Sequence, residues 1–323
     1  MAKKPETNKN FALIGAGGYV APKHMKAIAD TGNHLVAALD VSDSVGVLDS
    51  YSFDTAFFTE FERFDRHAEK LRRAGEDSRL HYVSICSPNY LHDAHIRFAL
   101  RLNADAICEK PLVLNPWNLD ALSEIENEAG RRIYTVLQLR IHPSILALKQ
   151  KVENAATGAK TDIVMTYITL RGKWYFHSWK GDLAKSGGIA TNIGVHFFDM
   201  LMWIFGGMRS QEVHLVRPDK MAGFLALERA NVKWFLSADR KDLPAEAEAG
   251  EMTTFRSITV DGEEIEFSGG FTGLHTRVYQ DILSGGGYGI EDARPSIELV
   301  HVIRESEPTN NPERFHPFLE KPN

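Results

Sequence analysis

The chain has 323 residues, 43% hydrophobic and 25% charged, the composition of a globular protein long enough for two domains. Its two cysteines, Cys86 and Cys108, cannot build a disulfide framework, and no C-x-x-C zinc spacing occurs. A formal charge of -6 argues against general binding of nucleic acid or acidic membranes, so an anionic ligand would need local cations and backbone N–H groups.

Met1 to Asn10 is polar and lysine-rich, without the apolar stretch of a signal peptide, and no segment reads as a run of about 18 apolar residues. The expectation is a cytoplasmic protein with no membrane partner.

From Phe11 to about Arg132, short apolar runs alternate with amphipathic stretches. Phe11–Ile14, Leu35–Leu39, Tyr82–Ile85 and Ala106–Cys108 read as buried strands, with helices expected near Gly18–Thr31, Glu60–Arg73, Asn89–Leu102 and Asn115–Ala129. Such alternation predicts βαβ units and a parallel sheet covered on both faces. One more strand, Ile133–Leu139, leads to a helix near His142–Val152. Beyond it, strand character dominates. Asp162–Arg171 and Asn231–Ala238 read as strands, and Ser257–Val260 and Glu263–Phe267 flank Asp261-Gly262, a type I′ hairpin signal. Helices are expected near Asn192–Phe205, Leu274–Leu283 and Glu291–Glu305, a surface loop at Lys241–Gly250, and an irregular tail from Glu307 to Asn323. The predicted fold is α/β: a Rossmann domain over 1–135, then an α+β domain over 136–323 with a large, mostly antiparallel, open-faced sheet for substrate binding and assembly.

Four motifs carry chemistry. Gly15-Ala16-Gly17-Gly18 follows a strand and opens a helix, as a dinucleotide's pyrophosphate requires, and Tyr19 and Val20 complete the turn. Val20 occupies the place of the usual third Gly, so an ordinary strand-to-helix turn would look similar. The next strand ends in Asp40, 20 residues after Val20, where a carboxylate accepts from the adenosine ribose and repels a 2′-phosphate. That combination points to NAD rather than NADP.

Ser87-Pro88-Asn89 with His92 follows the third strand, at the end of the sheet where doubly wound folds bind ligands, although Ser-Pro-Asn is also a routine helix start. His92 and His95 are three apart but have no carboxylate nearby, and no metal site is assigned. Glu109-Lys110-Pro111 follows the fourth strand. A lysine partly desolvated there can accept a proton or orient a hydroxyl, whereas a solvated lysine before a turn would do neither. Finally, Gly187-Gly188 enters a helix on which Asn192, His196 and Asp199 share one face at i, i+4 and i+7. A polar triplet on an otherwise apolar helix needs a ligand, a partner or solvent.

Taken in order, these motifs resemble the Gfo/Idh/MocA family of NAD(P)-dependent oxidoreductases over nearly the whole chain. Arg171-Gly172-Lys173-Trp174-Tyr175-Phe176-His177-Ser178-Trp179-Lys180, running on to Asn192-Ile193-Gly194-Val195-His196, is similar to the WlbA/WbpB-type subgroup that oxidises the 3-hydroxyl of UDP-N-acetyl-2-amino-2-deoxyglucuronate (UDP-GlcNAcA). The resemblance implies NAD as cofactor and Lys110 and His196 as the proton-handling pair. The broader family often has Asp where this chain has Asn192, which can orient but cannot act as a base. Glu109 and Gln138 would lie near the cofactor, and Arg140 near the mouth between the domains.

A UDP-uronate carries a diphosphate and a carboxylate. Arg171, Lys173, Lys180 and Lys185, interleaved with Trp174, Tyr175 and Trp179, suit such a ligand, although a basic surface loop over hydrophobic anchors would have the same composition. His275 and Tyr279 lie on a later helix expected to close the same site. The subgroup further implies recycling of NADH by 2-oxoglutarate, a homotetramer, and a role in nucleotide-sugar synthesis for surface polysaccharide such as O-antigen. An inositol or free-hexose dehydrogenase, or a non-catalytic NAD-binding regulator, remains open on the residues alone. The first would leave the basic-aromatic segment unexplained, and the second would leave Lys110 and His196 unexplained.

Overall fold

The computed structural model describes residues 8–155, 160–265 and 269–319. The chain divides into two compact units, and the division is not linear. The first comprises Met1–Val113, Trp117–Gln138 and Thr272–Ala293, and the second Leu114–Pro116, Leu139–Phe271 and Arg294–Asn323. The expected cut near residue 135 is therefore corrected in one respect, because the segment carrying His275 and Tyr279 belongs to the first unit.

The first unit runs β1 (Asn10–Ile14), α1 (Ala21–Asp30), β2 (His34–Leu39), β3 (Ala56–Phe58), α2 (Phe61–Ala74), β4 (Tyr82–Ile85), α3 (His92–Arg101), β5 (Asp105–Cys108), α4 (Trp117–Ala129) and β6 (Ile133–Thr135). Its six-stranded sheet is parallel, in the order β3-β2-β1-β4-β5-β6. Phe11, Ala12, Leu13 and Ile14 are all buried, as a parallel strand covered on both faces requires. Pro22 fits the first turn of α1, where its missing N–H costs nothing, and Gly32 follows the helix at φ 73°. α2 buries Phe64 and Ala68 and places Arg72 and Arg73 in its last turn, where cations complement the helix dipole. The three-residue β3 is too short to show a period in the sequence.

The second unit begins with α5 (Pro143–Asn154), β7 (Thr161–Thr169), α6 (Lys173–His177) and α7 (Leu183–Ser186). A π-helical turn, Ala190–Gly194, feeds α8 (Val195–Phe205). Then come β8 (Met208–Val216), β9 (Lys220–Leu227), β10 (Ala230–Ser237), α9 (Ala245–Ala249), β11 (Thr254–Val260) and β12 (Glu263–Glu264). The chain next supplies α10 (Leu274–Leu283) to the first unit and returns along α11 (Ile290–Glu305).

The second sheet has the order β12-β11-β7-β10-β9-β8. It is antiparallel except between β7 and β10, which pair in parallel. Asp261 and Gly262 have φ 51° and 85°, the positive pair that a type I′ turn requires. The Glu263–Phe267 arm is described only as far as Ile265, so Glu266 and Phe267 lie outside the described residues. Lys241–Gly250 is not a plain loop: a 3-10 turn, Arg240–Asp242, precedes α9, and Leu243 and Ala247 join a core cluster with Ile168, Ala222 and Phe235.

Trp234 is fully buried against Phe198 of α8, with ring centroids 5.3 Å apart. On the opposite sheet face, His316 stacks on Phe235, and Phe318 packs beside it. The tail therefore partly covers the face expected to be open. Leu183–Phe205 is long and apolar enough to cross a membrane by length and mean hydropathy, but 78% of its apolar window is buried within the fold. Its α8 part is a core helix, apolar on nearly all sides.

Candidate functional site

In the first unit the strand order reverses between β1 and β4, the switch point at which doubly wound folds bind dinucleotides. Gly15 occupies this crevice at φ 90°, and its N–H donates to Leu39 O at 2.8 Å. A Cβ there would lie 2.6 Å from the Cys86 backbone, so only glycine fits. The exposed Gly17 donates its N–H to Asp40 Oδ2 at 2.8 Å, and Ser42 N–H takes the other oxygen at 2.9 Å. The carboxylate therefore stands beside the glycine turn, where it can accept from a ribose. Tyr19, 93% exposed, and the partly exposed Val20 flank the turn. The buried Gln138 Oε1 has no hydrogen-bond partner among the described residues, an acceptor suited to a carboxamide N–H. This glycine cradle, carboxylate and orphaned acceptor fit NAD. They would hold its pyrophosphate, ribose and amide, and the bound nicotinamide would supply a hydride acceptor.

Ser87, Pro88 and Asn89 turn off the end of β4, with Ser87 Oγ 2.8 Å from His95 Nδ1. Burial lowers His95 to about 4. His92 is a correction. It is only 1% exposed, and its two ring nitrogens meet Pro111 O at 2.7 Å and Ser87 O at 2.9 Å. It is enclosed and clasps the loops after β4 and β5, so its ring offers no open face to a cofactor. Burial drives its imidazole pKa down against those two carbonyls. Lys110 follows β5, half-buried, and joins Pro111 through a cis peptide bond.

Glu109 is buried at the same strand end, and His24 Nε2 and His275 Nε2 both lie 3.0 Å from its Oε1. His24 was missed by sequence reasoning. It lies on the stripe of α1 that also buries Ala21, Met25 and Ile28, so its burial was legible, but its partner 85 positions away was not. His275 and Tyr279 are also corrected. Tyr279 is fully buried, 2.6 Å from Ser84 Oγ and 2.7 Å from His24 Nδ1, and His275 is 5% exposed. Both are built into the first unit's interior instead of forming a substrate surface.

In the second unit, Gly187 and Gly188, at φ 77° and 73°, turn the chain into the π-helical segment that carries Asn192. A Cβ on Gly187 would come within 2.7 Å of Thr191. Single π-turns inside α-helices recur at functional sites, because the extra residue re-aims side chains. Here it alters the α-helical spacing assumed for Asn192 and His196. Asn192 Nδ2 donates to Tyr175 Oη at 2.7 Å. Tyr175 is 2% exposed, so the ring expected to meet substrate instead fixes the Asn192 amide. Asn192 and His196 are both half-buried.

Asp199, the third member of the expected polar face, is buried and takes Arg140 Nε at 3.0 Å and Nη2 at 2.7 Å. Arg140 is 6% exposed, so the guanidinium expected at an open mouth is engaged in a buried ion pair. The basic-aromatic segment is partly self-packed: Lys180 Nζ lies 4.3 Å from the Trp179 ring centroid and 5.6 Å from that of Trp174. Desolvation, then Arg171, lowers the Lys180 pKa. Trp174 remains 58% exposed, and Arg171 lies 5.9 Å from the Tyr175 ring.

Residues 9–137 match the family model of oxidoreductases with an NAD-binding Rossmann fold, and residues 159–235 match that family's C-terminal alpha/beta domain. The WlbA (WbpB) dehydrogenase of Thermus thermophilus, in complex with NAD and alpha-ketoglutarate, is 51% identical, with TM-score 0.92 over 96% of this chain and 99% of that one. The same enzyme with NAD and UDP-GlcNAcA matches at 50% identity and TM-score 0.92, with the same coverage. Among curated relatives, glucose-6-phosphate 3-dehydrogenase of Bacillus subtilis is 26% identical over 61% of this chain and 54% of its own length. The matches span 29%, 54% and 35% of the length of three such relatives. With both units matched in sequence and the fold shared across nearly the whole chain, the protein belongs to the Gfo/Idh/MocA family of NAD-binding oxidoreductases.

Proposed function

We propose that this protein oxidises the 3-hydroxyl of UDP-N-acetylglucosaminuronate to the 3-keto sugar with NAD. The observation that carries this reading is the 50% identity, over 99% of its length, to a dehydrogenase solved with NAD and UDP-GlcNAcA. The inositol and glucose-6-phosphate dehydrogenases match at 24–26% over 61% of this chain, which makes free polyols the weaker reading.

When bound, NAD would supply the hydride acceptor for the sugar's C3. The chain's own residues handle the hydroxyl proton. Lys110 and His196 are the candidates, and Asn192, held by Tyr175, orients the hydroxyl without ionising. Lys180, Trp174, Trp179 and Arg171 offer cations and ring faces to a nucleotide diphosphate. A complex of the Thermus enzyme with alpha-ketoglutarate supports recycling of NADH by reduction of that keto acid to 2-hydroxyglutarate. We assign the protein to nucleotide-sugar synthesis for surface polysaccharide, in the cytoplasm and as a homotetramer.

Purified protein supplied with NAD and UDP-GlcNAcA should yield NADH or, with 2-oxoglutarate added, 2-hydroxyglutarate. Lys110→Ala and His196→Ala should each lower kcat by roughly 100-fold or more, the usual contribution of a proton-transfer group. Unchanged turnover in the double variant, or equal turnover on inositol, would sink the assignment. The oligomer is read by light scattering.

A further inference from the structure

Glu109 stands at the carboxyl end of β5, where doubly wound sheets take their ligands, and its side chain is 9% exposed. Burial by itself would push its carboxyl up. The hydrogen bonds from His24 and His275 overcome that and hold it well below the usual carboxylate range.

One assignment of protons closes the network around it. His24 Nε2–H donates to Oε1, leaving Nδ1 to accept from the Tyr279 hydroxyl at 2.7 Å. The Tyr279 oxygen then accepts from Ser84 at 2.6 Å. Burial, the largest influence, keeps His24 below its ordinary range. His24, Glu109 and His275 have the donor types of a metal site, with ligand atoms within 4.8 Å of one another. The hydrogen bonds nevertheless account for these contacts without an ion. Both imidazoles converge on Oε1, and Oε2 lies 3.3 Å from the Lys110 N–H.

We propose that Glu109, fixed as an anion by His24 and His275, sets the relative affinity of this protein for oxidised and reduced dinucleotide. The nicotinamide ring is cationic in NAD and neutral in NADH. A carboxylate in a poorly solvated site at the ligand-binding end of the sheet therefore favours the oxidised form. His24 and His275 are positioning residues: they act through the charge and orientation of Glu109. His275 reaches it from α10, 166 positions further along the chain. The inference rests on the NAD reading above.

The test compares Kd for NAD and NADH by fluorescence titration, with no substrate present. In Glu109→Gln the ratio Kd(NAD)/Kd(NADH) should rise about tenfold, equivalent to about 30 mV for a two-electron couple. His275→Leu should raise the ratio in the same direction, and His275→Gln, which restores a donor, should bring it back toward wild type. His275→Leu serves alone if Glu109→Gln does not fold. A folded Glu109→Gln or His275→Leu protein that binds both forms with the wild-type ratio overturns the inference and leaves the NAD reading intact. Failure of the wild type to bind either form overturns both. Stoichiometric zinc retained by the wild type and lost in His275→Leu overturns the inference, because the imidazoles would then be ligands.

Discussion

At the scale of single residues, burial decides roles that residue type leaves open. Arg140 and Asp199 each resemble a ligand-binding side chain in the sequence, yet the structure spends them on each other at 2.7 Å. Their side chains are only 7% and 3% exposed, so breaking the pair strands a buried charge. Arg140→Leu should cost about 3–5 kcal/mol, read from urea unfolding. The double variant Arg140→Met with Asp199→Leu should recover most of that loss, because no charge then remains uncompensated. A double variant no better than the single one would contradict the ion-pair account. His92 makes the same point: a histidine one turn past Ser87-Pro88 invites a ligand role, and its contacts with Ser87 O and Pro111 O make it a clasp.

At the scale of elements, local chemistry was largely legible. The helix at Leu274–Leu283 matches its sequence-derived bounds, and others lie within a few residues of theirs. α1, α2, α3 and α10 have a clear 3.6-residue period, and helix ends carry glycine, proline and charge signals. The π-turn at Ala190–Gly194 was not legible, because Asn192 and His196 also satisfy an α-helical spacing. β8 and β9 were missed for a related reason. β9 is buried at most positions, so it lacks the two-residue alternation of a half-exposed strand. Glycine positions yield a direct test. Gly15→Ala should lose about 1–3 kcal/mol to backbone strain, with further loss from collision with Cys86 and loss of dinucleotide binding. Gly32→Ala, at φ 73° with nothing within 4 Å of the added Cβ, should show the backbone cost alone and bind normally. Equal behaviour of the two variants would mean that the Cys86 approach does not matter.

At the scale of the whole molecule, buried histidines link stability to pH. Burial lowers His95 to about 4 and His316 to about 3. Both then stay neutral in the folded chain at a pH where the unfolded chain protonates them. Their contribution is complete above about pH 6.5, the ordinary histidine value, and is lost as pH falls toward those folded values. At pH 5 each should cost about 2 kcal/mol relative to pH 7.5, at 1.36 kcal/mol per pH unit. His316→Asn should be less stable at pH 7.5 but show a smaller drop in urea midpoint between pH 7.5 and pH 5. A pH dependence identical to wild type would rule out His316 as a contributor.

The sequence by itself determined the alternating first half, the glycine turn with its following Asp40, the Asp261-Gly262 hairpin, and the order of the motifs that mark the family. These depend on contacts among neighbours a few residues apart, which periodicity and turn chemistry record directly. Only the tertiary structure decided that α10 belongs to the first unit, that β7 pairs in parallel with β10, and that the tail packs on Phe235. It also decided that Glu109 is held by two histidines from distant parts of the chain. Those outcomes depend on which apolar surfaces and buried polar groups meet across 59 to 255 positions, as for Arg140 with Asp199 and His24 with Tyr279. No local pattern encodes such a meeting, because the free energy that selects it comes from desolvation shared by both partners.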